Sequence, residues 1–221
     1  LRAMRAVLER RPVAKLAPYK APRQVDNPAP FTGVYRPKDG PAVSIRTDGH
    51  GLVLEQQAHH GDGKFRRPLH PVSGNGGLFV TRDGGRDDVH ALAFEPPVTP
   101  DGSCAAFSWG ATTFVRDGVS RAAPPAAPAE YSAYPGHYRS EDPWVGDHRI
   151  VLRDGALWLD GVIPLVPTGD GRFWWRNEPT SPEWVGFADV IAGRAMRLVV
   201  SGDHLVRISE ADDPTYDPYK G

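Results

Sequence analysis

The chain has 221 residues, which is enough for one or two domains of ordinary size, and 40% of them are hydrophobic. Its 26 basic and 27 acidic side chains nearly cancel, so the charge favours neither a nucleic acid nor a membrane as partner. No apolar run approaches the roughly 18 residues of a membrane-spanning helix. No signal-peptide pattern opens the chain, which slightly favours a cytoplasmic location. Gly and Pro are frequent but not periodic, which predicts an all-β protein with many tight turns.

Residues 1–30 predict a short helix and then a connector. Apolar residues recur at the spacing of one helical face, and Pro12 follows to end the helix. A helix this short is marginal in water, so its apolar face should dock on another surface. Because the sequence begins with leucine rather than methionine, we expect a missing upstream domain to provide that surface. The docking residues are Leu1, Met4, Val7 and Leu8. Several prolines in residues 12–30 predict an irregular connector.

Residues 31–120 and 131–221 contain one unit twice, separated by an alanine- and proline-rich linker at residues 121–130. Four pairs of short sequences occur in the same order in the two copies, while the loops between them differ in length. The pairs are Phe31–Arg36 with Tyr134–Arg139, Asp48–Leu54 with Asp154–Leu159, Pro68–Pro71 with Pro164–Pro167, and Gly77–Phe79 with Gly171–Phe173. We therefore expect two domains of the same fold.

Each copy carries about seven or eight short alternating runs separated by turn signals, typical of an antiparallel sandwich or an up-and-down barrel. In the second copy the predicted strands are 136–140, 147–153, 156–160, 163–167, 172–176, 183–188, 195–200 and 204–208. Closure into a barrel would hide the sheet edges, so we predict two tandem antiparallel β-barrels. The single cysteine, Cys104, lies in an alternating stretch and should pack as a small apolar side chain.

Five segments of the second copy suggest a family. They are Gly136–Trp144, Arg153–Leu159, Pro164–Pro167, Gly169–Phe173 and Ser181–Phe187. Together they resemble the C-terminal domain that follows the catalytic domain in bacterial serine hydrolases of the class C β-lactamase and penicillin-binding-protein type. The first copy resembles the same module more weakly. D-aminopeptidase-like members carry two such lipocalin-like barrels, so the resemblance implies two lipocalin-like barrels and an upstream serine hydrolase domain or fragment as partner.

The resemblance does not extend to the catalytic residues. The nucleophile of that superfamily is the serine of Ser-x-x-Lys, and no serine here has lysine three positions on. Ser201, Asp203 and His204 contain the residue types of a triad, but their spacing is typical of a turn. We therefore expect no catalytic residue in this chain, which would be an accessory module that packs on and shapes a peptidase or esterase domain. The alternative is a stand-alone barrel that binds a small apolar or peptide ligand.

The densest polar cluster is His59, His60 and Asp62, flanked by glycines. Imidazole and carboxylate groups can bind a metal, but adjacent histidines on a strand point to opposite faces and the glycines favour a hairpin turn. We therefore expect no metal and no other cofactor. The resemblance implies instead that this loop contacts the cleft of the partner domain, as loops of similar aminopeptidases do.

Aromatic residues concentrate in the second copy, at Trp144, Trp158, Phe173, Trp174, Trp175, Trp184 and Phe187. The interior of a barrel this small is about as wide as its own large side chains, so we expect most of them to form the core rather than line a ligand cavity. Trp174 and Trp175 are neighbours on one predicted strand, so one should face inward and the other outward. The outward tryptophan is expected to contact the missing domain or the other barrel.

Overall fold

The computed structural model describes residues 25–49, 51–57, 64–72, 77–81, 90–97, 99–142, 144–175 and 180–212. Within these ranges the strands form two closed, eight-stranded antiparallel barrels. The predicted fold class, two tandem antiparallel β-barrels, is therefore confirmed. The predicted helix, with Leu1, Met4, Val7 and Leu8, lies outside the described residues.

The first barrel is an up-and-down barrel in which each strand pairs with the next and the last pairs with the first. Its strands are β1 (Gly33–Pro37), β2 (Val43–Asp48), β3 (Gly51–Gln57), β4 (Lys64–Pro71), β5 (Leu78–Val80), β6 (Leu92–Phe94), β7 (Ala106–Trp109) and β8 (Thr112–Arg116). A short 3₁₀ helix, Ala29–Phe31, precedes β1. Closure places Tyr35 of β1 opposite Arg116 of β8.

The second barrel repeats this topology. Its strands are β9 (Gly136–Arg139), β10 (Asp147–Arg153), β11 (Ala156–Leu159), β12 (Ile163–Pro167), β13 (Arg172–Trp175), β14 (Trp184–Ile191), β15 (Arg194–Val200) and β16 (Asp203–Ser209). Every strand predicted for this copy is present. The largest difference is at the end of β14, where Val190 and Ile191 are exposed although they pair with β15. Because neither faces the core there, the hydrophobic pattern did not mark this end of the strand.

Side chains of the barrel itself fill each interior. Tyr35, Phe79 and Phe107 are at most 1% exposed in the first barrel, and the rings of Phe107 and Phe114 stack with centroids 4.8 Å apart. Cys104 is 0% exposed in the same core, and burial raises the pKa of its thiol to about 11. The thiol is therefore neutral at neutral pH and packs as a small apolar side chain, as predicted. Tyr138, Ile150, Leu157, Leu159, Phe173 and Leu198 belong to the second core.

A tyrosine and an arginine hold the first barrel closed. The Tyr35 hydroxyl donates to the Phe31 carbonyl at 2.9 Å, and Arg116 Nη2 donates to the Tyr35 hydroxyl at 3.1 Å and to the Pro30 carbonyl at 3.0 Å. A Cβ atom at Gly33 would lie 2.6 Å from Arg116 Nη1, so a larger residue there would displace the guanidinium from these hydrogen bonds. These contacts tie the 3₁₀ helix, β1 and β8 together, and we call Tyr35 with Arg116 the first closing lock.

The second barrel has the same arrangement. The Tyr138 hydroxyl donates to the Tyr134 carbonyl at 2.7 Å, and Arg207 donates to the Tyr138 hydroxyl at 3.2 Å and to the Pro135 carbonyl at 2.6 Å. Gly136 again leaves the space that the guanidinium occupies. Tyr138 with Arg207 is the second closing lock, and it shows that the repeat detected in the sequence preserves contacts as well as strands.

The barrels contact each other through a buried arginine. Arg153, 5% exposed, donates from Nη1 to the Gly110 carbonyl of the first barrel at 2.5 Å and to the Gly161 carbonyl of the second at 2.8 Å. Its guanidinium carbon lies 4.2 Å from the centre of the Trp158 ring. Burial lowers the pKa of Arg153 to about 10, so the side chain is still charged at neutral pH. We call this contact the inter-barrel junction.

Candidate functional site

The structure separates the predicted contact residues into two groups. His59, His60 and Asp62 lie outside the described residues. Trp174 and Trp175 lie on β13 and face opposite sides of the barrel wall, as predicted for neighbouring strand residues. Trp175 packs against the second core, whereas Trp174 lies on the outer face. The contact of either residue with a partner domain stays a prediction.

Of the seven aromatic residues highlighted in the second copy, three pack in the second core and four do not. Phe173 is buried, and Trp175 and Phe187 pack against it in the second core. Four tryptophans, Trp144, Trp158, Trp174 and Trp184, are not part of that core. The sequence pattern was misleading because β13 and β14 carry aromatic residues on both faces, and composition does not distinguish the two faces.

Two of these outer tryptophans line a groove of about 440 Å³ beside β13 and β14. Trp174 and Trp184 are direct cross-strand partners, so both side chains project from the same face of the sheet. Polar residues complete the wall. Its lining includes Thr168, Asp170, Arg172, Trp174, Ser181 and Trp184, and we call this surface the Trp174 groove.

The carboxylate of the Trp174 groove is held in place and ionised. Asp170 Oδ1 accepts a hydrogen bond from the Thr168 hydroxyl and another from the Arg172 backbone N–H at 3.2 Å. The hydrogen bond from Thr168 is the main reason why the pKa of Asp170 lies below its ordinary value. Because the Asp170 side chain is 61% exposed, its carboxylate can still accept hydrogen bonds from a ligand.

The cation of the groove is also ordered by its neighbours. The Arg172 guanidinium carbon lies 4.4 Å from the centre of the Trp184 ring, within the range of a cation–π contact. The Trp184 ring leans over Gly186, where a Cβ atom would approach the ring to 3.1 Å. The Trp184 backbone N–H donates to Ser201 Oγ at 3.3 Å. Arg172 and Trp184 therefore form a wall of the groove with defined geometry.

A second pocket, of about 370 Å³, lies beside the core of the first barrel. Phe31 and Phe94, which contact each other edge to face, form its aromatic side. Pro96 and Pro97 lie at the same pocket, together with Asn27. This pocket is mostly apolar, unlike the Trp174 groove.

The structure also brings together a serine, a histidine and an aspartate that the sequence analysis did not connect. Ser209 Oγ of β16 lies 3.4 Å from His137 Nδ1 of β9, and His137 Nε2 lies 3.0 Å from Asp147 Oδ2 of β10. Desolvation lowers the pKa of His137. A general base must also pass its proton to the leaving group, and His137 is 0% exposed. These contacts therefore cross-link three strands rather than form an accessible catalytic site.

Ser201, Asp203 and His204 lie in a hairpin and do not form a catalytic triad. Ser201 forms the turn between β15 and β16, and its hydroxyl oxygen accepts the Trp184 N–H. Asp203 and His204 begin β16 and pair with Val200 and Val199 across the hairpin. The arrangement agrees with the turn that their spacing predicted.

In the described part of the chain, no helix combines the length and the apolar character needed to cross a bilayer. Among the same residues, no group of three or more histidine, cysteine, aspartate or glutamate side chains has an arrangement that could hold a metal ion. Comparisons with protein families, with curated proteins and with solved structures found no match to this chain.

Proposed function

We propose that this chain is a non-catalytic accessory module of a β-lactamase-like serine hydrolase, a peptidase or esterase, and that it packs on and shapes the catalytic domain. The observation that carries the proposal is that both barrel interiors are occupied by side chains of the barrels themselves. A filled barrel acts through its outer surface, as an accessory module does. The five segments that resemble the C-terminal hydrolase domain all belong to the second barrel or its turns.

The inter-barrel junction supports the same proposal. Arg153 is charged and buried, and carbonyl groups of both barrels satisfy it. Separation of the barrels would expose this pair of carbonyls and change the environment of the cation, so the contact favours one two-barrel unit. Such a unit would present a continuous outer surface to a catalytic domain.

The test is to purify the protein from its native source and to determine its intact mass and N-terminal sequence. We expect a longer chain, or a co-purifying fragment, that contains Ser-x-x-Lys and reacts with a fluorescent acylating probe of active-site serines. The present chain alone serves as the control and should not react. A native chain that begins near Leu1 and carries no partner would contradict the proposal.

The apolar pocket supports a second candidate, a barrel protein that binds a small apolar or peptide ligand. A volume of about 370 Å³ is within the range of small-molecule sites, and Phe31 and Phe94 provide an aromatic wall. Titration with dansylated undecanoic acid tests this candidate. Saturable fluorescence that Pro96→Trp at the rim weakens would support ligand binding at this pocket, whereas a response that the variant leaves unchanged would exclude the pocket.

A further inference from the structure

The two barrels are built alike, so a feature present in only one of them is not required by the fold. Arg172 pairs with Gly186 in the second barrel, and Leu78 pairs with Ala93 in the first, so these pairs occupy equivalent places. Counting along the strands from these pairs gives the first-barrel equivalents of the groove residues. For Arg172, Trp174 and Trp184 they are Leu78, Val80 and Ala91. At these three described positions the first barrel therefore has aliphatic side chains, where the second barrel has the arginine and the two tryptophans of the Trp174 groove.

We propose that the Trp174 groove binds a neutral saccharide. This binding does not depend on the proposed serine hydrolase partner. One face of a pyranose ring carries C–H groups with partial positive charge, and these are attracted to the negative π face of an indole. Trp174 provides such a face on the outside of the barrel. The ring edge carries neighbouring hydroxyls, and each hydroxyl both donates and accepts a hydrogen bond.

The polar groups of the groove match those hydroxyls. Asp170 offers an ionised acceptor already oriented by Thr168, and Arg172 offers a fork of donors already oriented on Trp184. The Ser181 hydroxyl lines the same groove. Because these groups are ordered before binding, a ligand loses less free energy in arranging them.

The charge of the groove argues against other ligand classes. One carboxylate and one guanidinium balance each other, which favours neither a polyanion nor a polycation. Arg172 already occupies the cation position over the Trp184 ring, so an ammonium ligand would meet a like charge there. An apolar segment of a protein would remove water from Asp170 and Arg172, and it would offer no hydrogen bonds in place of those that the two side chains make with water. A neutral ligand rich in hydroxyls avoids all three costs.

The experiment is a titration of the full chain with four neutral saccharides: cellotetraose, maltotetraose, xylotetraose and tetra-N-acetylchitotetraose. Binding is measured by tryptophan fluorescence and by calorimetry. We expect at least one of the four to bind at millimolar or lower concentration. Trp174→Ala should weaken that binding about tenfold, because it removes the stacking surface. Asp170→Asn should also weaken it, whereas Trp174→Phe should retain most of it.

Trp144→Ala is the matched control, because Trp144 is 94% exposed on the same barrel and does not line the groove. Circular dichroism and thermal melting of each variant separate lost binding from lost folding. Binding by none of the four saccharides at high millimolar concentration overturns the proposal, as does binding that Trp174→Ala and Trp144→Ala affect equally.

A protein partner gives a different result. If the purified hydrolase fragment binds the chain and Trp174→Ala abolishes that association while no saccharide binds, the groove is a protein-docking surface and the saccharide proposal is wrong. Saccharide binding to the isolated chain does not depend on any hydrolase, so failure of the proposed function leaves this measurement interpretable.

Discussion

The two barrels share their closing locks but differ on their outer surfaces. Tyr35 with Arg116 and Tyr138 with Arg207 make equivalent hydrogen bonds, and both arginines leave no space for a side chain on the glycine beside them. In contrast, the outer face that carries Trp174 in the second barrel carries Val80 in the first.

This difference separates what the fold requires from what it permits. A partly buried arginine that donates to carbonyls at a strand closure can be replaced only at a cost in stability, so both copies have it. The outer face of a strand can change without that cost, because it contributes little to the core. The shared features therefore report folding, whereas the residues of the Trp174 groove are not required by the fold.

The largest effect is expected at the closing locks. Arg207→Met keeps the aliphatic part of the side chain but removes the donors to Tyr138 and Pro135, so we expect a loss of about 3 kcal/mol in unfolding free energy. Arg116→Met should cost a similar amount. Hydrogen–deuterium exchange with mass spectrometry should place the loss of protection in the second barrel for Arg207→Met and in the first for Arg116→Met.

Arg194→Met is the control for this pair of variants. Arg194 is on the second barrel, its side chain is 62% exposed, and its ion pair with Glu210 faces solvent. Such pairs contribute little, so this variant should be close to neutral. A neutral effect of either lock variant would contradict the equivalence of the two barrels.

The next largest effect is expected at Arg153. Arg153→Met removes hydrogen bonds to Gly110 and Gly161 and leaves both carbonyls without their donor, so we expect a loss of about 2 kcal/mol. Arg153→Lys should recover part of it. Urea unfolding should change from one transition to two if Arg153 couples the barrels, and a single unshifted transition would show that it does not.

Much of the fold was predictable because the repeat and the alternation are local signals. The pairs of repeated turn sequences and residues such as Leu157 and Leu159 identify strands without knowledge of their partners. The groove was less predictable, because the meeting of Trp174 and Trp184 depends on the register of β13 against β14. Alternation predicted that one of Trp174 and Trp175 faces outward, but the choice between them required that register.

The contact between Ser209 and His137 was beyond reach of the sequence for a similar reason. It depends on the return of β16 to β9 at barrel closure and on the irregularity between Arg207 and Ser209 in that pairing. An extra residue at such an irregularity changes which side chains face each other. Periodicity reports the faces of one strand and contains no information about closure.

His137 predicts a pH dependence specific to the second barrel. Desolvation, followed by the positive charge of Arg149, lowers the pKa of His137 below its ordinary value of 6.5, although Asp147 and Asp160 oppose the shift. Between the folded and unfolded pKa values the unfolded chain binds more protons, so stability falls as the pH drops below about 6.5. Urea midpoints between about pH 7 and about pH 5 should show this loss.

The matched variant is His137→Val, because Val34 is the equivalent residue of the first barrel. It should reduce the acid sensitivity of the second barrel and leave the first unchanged. Equal acid sensitivity of His137→Val and the unaltered protein would show that other groups are responsible.

The smallest effect is expected at Arg121, which bridges the same two barrels from the surface. It donates to Glu95 of the first barrel at 2.8 Å and to Asp154 of the second at 2.9 Å, but its side chain is 35% exposed. Water and salt screen such pairs, so Arg121→Gln should cost only about 0.5 kcal/mol, and less at high salt. Urea unfolding of Arg121→Gln and of Arg153→Met compares the free energy that an exposed and a buried arginine contribute to the contact between the barrels. If Arg121→Gln is the more costly of the two, the barrels are held together by their surface ion pairs, and the buried guanidinium of Arg153 contributes mainly to its own barrel through Gly161 and Trp158.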